Sequence, residues 1–203
     1  GDFDLSNKNF SLYLLENSNS SHFLEAYQYK LVIADRFRDG ARKHLFNQEK
    51  LPKVFSDRDE AVTLYDEIIS QLPSHNLGMK ALFHKAELLQ EDGQFKQSRE
   101  AYQSLIRKFP RSDLALQSYV KISALLETQA EVDFQNPDIL QLAELNISRF
   151  TKDFPKATKL HQEAKQHLQN MQELFANGLF ETGQLYERMS YPKAACIYYN
   201  EAI

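Results

Sequence analysis

The chain has 203 residues, 42% of them hydrophobic, with a formal net charge of −4 and only six glycines and six prolines. That is apolar material for one sizeable core or an array of small ones, and too little Gly and Pro for many short strands and tight turns. Basic residues are interspersed with acids, which argues against a nucleic-acid backbone as main partner, because phosphate neutralisation needs a concentrated basic surface.

In chain order, residues 1–20, Asn- and Ser-rich around Asn17 to Ser21, read as a poorly ordered lead-in whose Phe10, Leu12, Leu14 and Leu15 have the character to dock somewhere. A long helix is predicted from about His22 to Phe46, bent near Gly40, since a mid-helix glycine costs roughly 1 kcal/mol. The Pro52 segment links to a helix from Asp57 to Leu72, opened by Ser56 with Asp59 three residues later, a capping-box-like start. Helices follow at Leu77 to Glu91, Gln94 to Phe109 and Ser112 to Val132. After a loop at Asp133 to Pro137, Asn136 caps a new helix with Pro137 at its first position. Beyond Pro155 a long helix runs to about Met189, and the last opens near Pro192.

No segment approaches the ~20 apolar residues that span a bilayer, and the start, Gly1 to Ser6, has no leader pattern. The chain stops at Ile203 inside what reads as an unfinished helix, so the sequence reads as a piece of a longer product, with any export signal or lipid anchor outside it. Cys196 is the only cysteine, which rules out an intrachain disulfide and leaves both a reducing compartment and a periplasm open.

The dominant signal is a repeat. Aligned on their prolines, the strings Ala61-Tyr65-Ile68-Pro73, Ser98-Tyr102-Leu105-Pro110 and Ala143-Ile147-Phe150-Pro155 share one spacing, and a fourth begins with Ala194 and Tyr198. A small residue, large apolar residues four and seven later, and a proline after twelve describe a helix with one buried stripe and a hard stop. The small residue lets the second helix of a pair approach the first closely. Successive copies begin at Ala61, Ser98, Ala143 and Ala194, steps of 37, 45 and 51 residues against about 34 for a bare tetratricopeptide unit. The clearest copy is Met79 to Ser112, with Leu82, Ala86 and Leu89 striping its first helix and Gly93 opening the turn.

The predicted fold is therefore all-α: tetratricopeptide-type tandem helix hairpins in a right-handed α-solenoid with a concave face. A single repeat domain is predicted over 21–203, in units of about 22–76, 77–112, 113–156 and a truncated 157–203.

The third and fourth units carry more than a generic repeat. The run Arg149-Phe150, Asp153-Phe154-Pro155, Leu174-Phe175, Gly183, Tyr186-Glu187-Arg188, Tyr191, Ala194-Ala195 and Tyr198-Tyr199 resembles the BamD (YfiO-type) family of outer-membrane assembly lipoproteins. The resemblance spans roughly Asp57 to Ile203, and includes the order of two regular repeats, a loop-interrupted third and a long-helix fourth. The chain departs from that family in lacking a lipid-accepting cysteine near its start, in the short loop at Asp133 to Pro137, and in Ile197-Tyr198, where many members read Asn-Arg.

The resemblance implies a periplasmic scaffold on the inner face of an outer membrane, held there only by a lipid anchor outside this sequence. Its first units would receive unfolded outer-membrane proteins and its last would dock the β-barrel insertase. A cytosolic tetratricopeptide adaptor or secretion chaperone is the alternative. A regulatory or enzymatic domain using the hairpins as a platform is a third reading, since fold does not fix function.

Catalysis has no local signature to rest on. His22, His44, His75, His84, His161 and His167 are scattered, without a metal-binding spacing or a cysteine pair, so neither metal nor cofactor is expected. No two glycines make a phosphate loop, and no serine stands in a nucleophile elbow. The acceptor spellings at Asn19 and Asn146 are read as chance, and Cys196, beside Ala195, as a small buried core residue.

With Leu82, Ala86 and Leu89 facing the partner helix, Lys80, Phe83, Glu87 and Gln90 turn toward the concave surface as a peptide groove. Phe83 is the candidate anchor, with packing against the first repeat as its alternative. Tyr191 and Tyr199, in the aromatic cluster of the last hairpin, are candidates for partner docking.

Overall fold

A computed structural model describes residues 2–16, 21–44, 53–56, 58–133 and 136–203. Contacts divide the chain into a unit ending at Phe109 and a unit starting at Pro110. The fold class is all-α, of the tandem helix-hairpin kind the repeat predicts.

In the first unit the order is α1 (Phe3–Glu16), α2 (Phe23–Arg38), a short hairpin of β1 (Arg42–His44) and β2 (Lys53–Ser56), then α3 (Arg58–Gln71), α4 (Asn76–Glu91) and α5 (Phe95–Lys108). Helices α2 and α3 form one pair, α4 and α5 the next, and α4 packs on both α3 and α2. The small residues sit where the spacing put them: Ala61 and Ser98 are fully buried. The Ser98 hydroxyl donates to the Ala86 carbonyl at 2.7 Å, tying α5 to α4 with a bond that a larger side chain would block.

Two expectations for this unit are corrected. The helix predicted to run through Gly40 to Phe46 ends at Arg38. Gly40 has φ +93°, its amide bonds Phe37 O at 3.1 Å, and the Ala41 amide bonds Arg36 O at 2.8 Å. This left-handed closure satisfies the last carbonyls of α2, so Gly40 is a stop and not a bend. The chain then forms the antiparallel β1–β2 ladder, Arg42 opposite Ser56, with a bulge at Lys43/His44. Gly93 closes α4 by the same device, with φ +71° and Gln94 N to Leu89 O at 2.8 Å.

The second correction concerns the lead-in, of which residues 17–20 lie outside the described ones. Residues 3–16 are helical, and α1 packs on α2. Leu14 enters the core, Phe3 meets Phe37 edge-on, and Phe10 stacks on Tyr29 at 5.4 Å. Lys30 lies fully buried beneath α1, its ammonium 2.8 Å from Ser11 Oγ and 2.6 Å from Glu67 Oε1 on α3. Burial, then the Glu67 charge, pushes the nearby Tyr27 hydroxyl up to about 12. A buried ammonium needs such a partner, since an unpaired one would forfeit several kcal/mol of hydration.

The second unit comprises α6 (Asp113–Val132), α7 (Pro137–Asp153), the 31-residue α8 (Thr158–Arg188) and α9 (Pro192–Glu201). Ser112 caps α6 through Ala115 N at 3.0 Å, and Asn136 caps α7 through Asp138 N at 3.1 Å. Ala143 is buried at the α6–α7 contact, and Tyr119 stacks on Phe150 at 5.0 Å. Asn146, at 7% exposure, donates to Tyr119 O at 2.8 Å and Ser123 Oγ at 3.0 Å, so its amide is a fastening between helices and closed to glycosylation.

Helix α8 serves two partners. Its first half packs on α6 and α7, with His161 edge-on to Phe150 at 4.5 Å. Its second half carries α9, whose Tyr199 ring lies so close to Gly183 that a Cβ there would sit 2.6 Å from Tyr199 Cε1.

Candidate functional site

The first helices of the two hairpins in the first unit lie side by side, and side chains from α2, α3 and α4 converge between them. Asp35 and Arg38 are three apart on α2; His84 and Glu87 are three apart on α4; Tyr65 comes from α3, at the +4 position of its repeat string. The Tyr65 hydroxyl donates to Asp35 Oδ1 at 2.7 Å, and His84 Nδ1 lies 2.7 Å from the same oxygen. A carboxylate only accepts, so Nδ1 carries the proton of that bond. The Tyr65 and His84 rings meet edge-on at 6.2 Å.

Burial alone would raise Asp35. The hydrogen bonds from His84 and Tyr65, with the charges of His84 and Arg38, outweigh it and hold the carboxyl below its usual range. Tyr65, fully buried and bonded to that carboxylate, is pushed far above the ordinary phenol range, by burial first and by Asp35 second. Across the same seam Arg38 Nη1 lies 3.7 Å from Glu87 Oε2. Two ion pairs therefore link α2 to α4, each about a quarter exposed.

Of the residues the sequence nominated here, Lys80 is exposed on this face, Glu87 joins it through Arg38, and Gln90 is half-buried at the end of α4. Phe83 is corrected: at 7% exposure it packs edge-on against Tyr102 of α5 at 5.6 Å, a core side chain with no face to offer a peptide. Its place on the surface stripe goes to His84. The signal for His84 was present, one turn beyond Lys80, but its partner Asp35 lies 49 residues back, where no local pattern connects them.

In the last hairpin the structure does not bring the two nominated tyrosines together. Tyr191 precedes α9 and is 58% exposed; Tyr199 sits near its other end, half-buried, its hydroxyl donating to Glu187 Oε2 at 2.7 Å. Tyr199 thus packs its own hairpin, while Tyr191 faces outward. Cys196 is corrected as well: it is exposed, and Ala195 is the member of that pair that enters the core. A helix turns by 100° per residue, and on α9 the inward side takes Ala195 and leaves Cys196 out.

Among the described residues no three His, Cys, Asp or Glu side chains are grouped to hold a metal ion, and no helix is long and apolar enough to cross a membrane. What the α2–α4 face offers is fixed charge of both signs, with the exposed Lys80 on α4 beside it.

Residues 80–112 match the tetratricopeptide-repeat family, the span of α4, α5 and the turn into α6. No curated protein matches the sequence. Residues 80–112 therefore carry a tetratricopeptide repeat, and such repeats build protein-binding surfaces.

Proposed function

We propose that the chain is a non-catalytic protein-binding scaffold of the outer-membrane β-barrel assembly machinery. It receives unfolded outer-membrane proteins on its first unit and docks the barrel-forming insertase through its last hairpin, on the periplasmic side of the outer membrane. The observation that carries the binding role is the α2–α4 face, where Asp35–His84 and Arg38–Glu87 fix two first helices against each other and leave Lys80 outward. Charges held in place cost little to order when an extended segment arrives, which favours recognition of backbone and polar side chains along it. Support for the assembly role is the sequence resemblance of the third and fourth units.

The test is affinity capture from membranes of the source organism with the full chain and with K80E and Y191A variants. The reading expects a large β-barrel assembly protein in the capture, lost with Y191A, and unfolded outer-membrane protein, reduced with K80E. Recovery of soluble secreted proteins alone would overturn the assembly role in favour of a cytosolic adaptor.

A further inference from the structure

The middle of α8 is crossed by the ends of two other helices. Helix α7 runs antiparallel to the first half of α8, and α9 antiparallel to the second half, so the start of α7 and the end of α9 approach each other over the same turns. They leave a groove of about 330 Å³, floored by Phe175, Gly178 and Leu179 and walled by Pro137 on one side and Tyr198 on the other. Tyr198 is held in place by stacking on Tyr186 at 5.2 Å. Gly178 is buried in the floor, and its carbonyl accepts from the Thr182 hydroxyl at 2.8 Å. The volume lies at the small end of the roughly 300–1,000 Å³ typical of ligand pockets, room for one or two apolar side chains.

The charged side chain that lines this groove is a carboxylate. Glu201 lines it, and Asp138 follows Pro137 on the exposed first turn of α7. No lysine or arginine occurs between Lys121 and Arg149, between Lys165 and Arg188, or after Lys193, and these three stretches supply every lining residue. The carboxylates Glu131, Asp133, Asp138 and Glu181 fall in the same stretches and are exposed. The basic residues of this unit gather elsewhere, Arg149, Lys152, Lys156 and Lys159 lying around the α7–α8 turn at the opposite end of α7. The positive end of α7 is met by its own Asn136 cap and Asp138.

We infer that the α7–α8–α9 groove is a second peptide-binding site, which takes a basic segment of a partner protein by seating one or two apolar side chains between Pro137 and Tyr198, with lysines or arginines against the carboxylate rim. The apolar seat supplies most of the affinity and the rim selects the sign of the ligand. This rests on the protein-binding reading above but on a different surface, in the other unit of the chain.

The test is NMR titration of the ¹⁵N-labelled chain with a blocked hexapeptide carrying a phenylalanine–leucine centre between two lysine pairs. Shifts are expected at Gly178, Thr182 and Tyr198. Binding should weaken about threefold in E201Q, the size of an exposed ion pair, and be lost when the lysines are replaced by glutamates or when T182R fills the groove. Equal binding of the lysine and glutamate peptides, or no shift at these residues, would overturn the site. Shifts confined to Lys80, His84 and Glu87 would overturn it too, while leaving the α2–α4 face as the protein-binding surface.

Discussion

Replacing Asp35 by alanine tests whether the seam between α2 and α4 is held by the charges described. The Tyr65 side chain is fully buried, so its hydroxyl cannot turn to water when its acceptor is removed. An orphaned buried donor costs about 1–3 kcal/mol. His84 and Asp35 are about a quarter exposed, so the lost ion pair adds at most about 1 kcal/mol after solvent screening. The expected loss is therefore about 2–3 kcal/mol, or roughly 10 °C or more in the midpoint of the first unit at its size.

The sign of the pH dependence follows from Asp35 being held below its ordinary value. Its contribution is complete above the unfolded carboxyl range near ~3.9 and is lost as pH falls through the lower folded value. The gap between the native chain and D35A should therefore close in acid. Thermal unfolding followed by circular dichroism from neutral pH downward measures it, with Y65F completing a double-mutant cycle whose coupling should reach about 1–2 kcal/mol. A D35A loss under about 0.5 kcal/mol, or additivity with Y65F, would refute the reasoning.

Four further outcomes are expected. Asn146→Ala removes two buried hydrogen bonds between α6 and α7 and should cost about 2–3 kcal/mol in the second unit's calorimetric transition. Ser190, at φ +61°, closes α8 in the left-handed conformation that costs a side chain about 1 kcal/mol, so Ser190→Gly should raise the midpoint of that unit and not lower it. Gly183→Ala should cost about 1–3 kcal/mol through the clash with Tyr199, and the cost should fall when Tyr199 is itself cut to alanine, read as non-additivity in chemical denaturation. Lys30→Met keeps the shape beneath α1 and removes the buried charge while orphaning Glu67; because Glu67 is a third exposed and can rehydrate, the loss should stay within about 1–2 kcal/mol by urea denaturation.

Most of the helices were legible because their signals are local. The caps at Ser112 and Asn136, the proline stops and the buried small residues each act within one or two turns, and the bounds of α4 to α6, the starts of α7 and α9 and the end of α8 fall within a residue or two of the expected ones. Gly40 misled because glycine inside a helical pattern and glycine just past a helix end look alike until the next residues show whether the stripe continues. Phe83 misled because a surface stripe drawn from one hairpin ignores the second helix, whose Tyr102 claims the ring. The Asp35–His84 pair, 49 residues apart, and the groove over Gly178, lined from three helices, are products of packing between elements, and their composition is ordinary at each position.

The length of α8 imposes a phase on everything attached to it. At about 1.5 Å and 100° per residue it is a rod of roughly 46 Å with no loop to absorb error. One residue inserted between Gln172 and Asn177 would swing α9 by about 100° around the rod axis relative to α6 and α7, taking Tyr198 away from Pro137. Insertions of this kind are tolerated in the turns between other helices, where the backbone re-closes locally. Here a change of a single codon would abolish the geometry of two hairpins at once, so the tract is closed to variation in length even where its individual side chains are free to change.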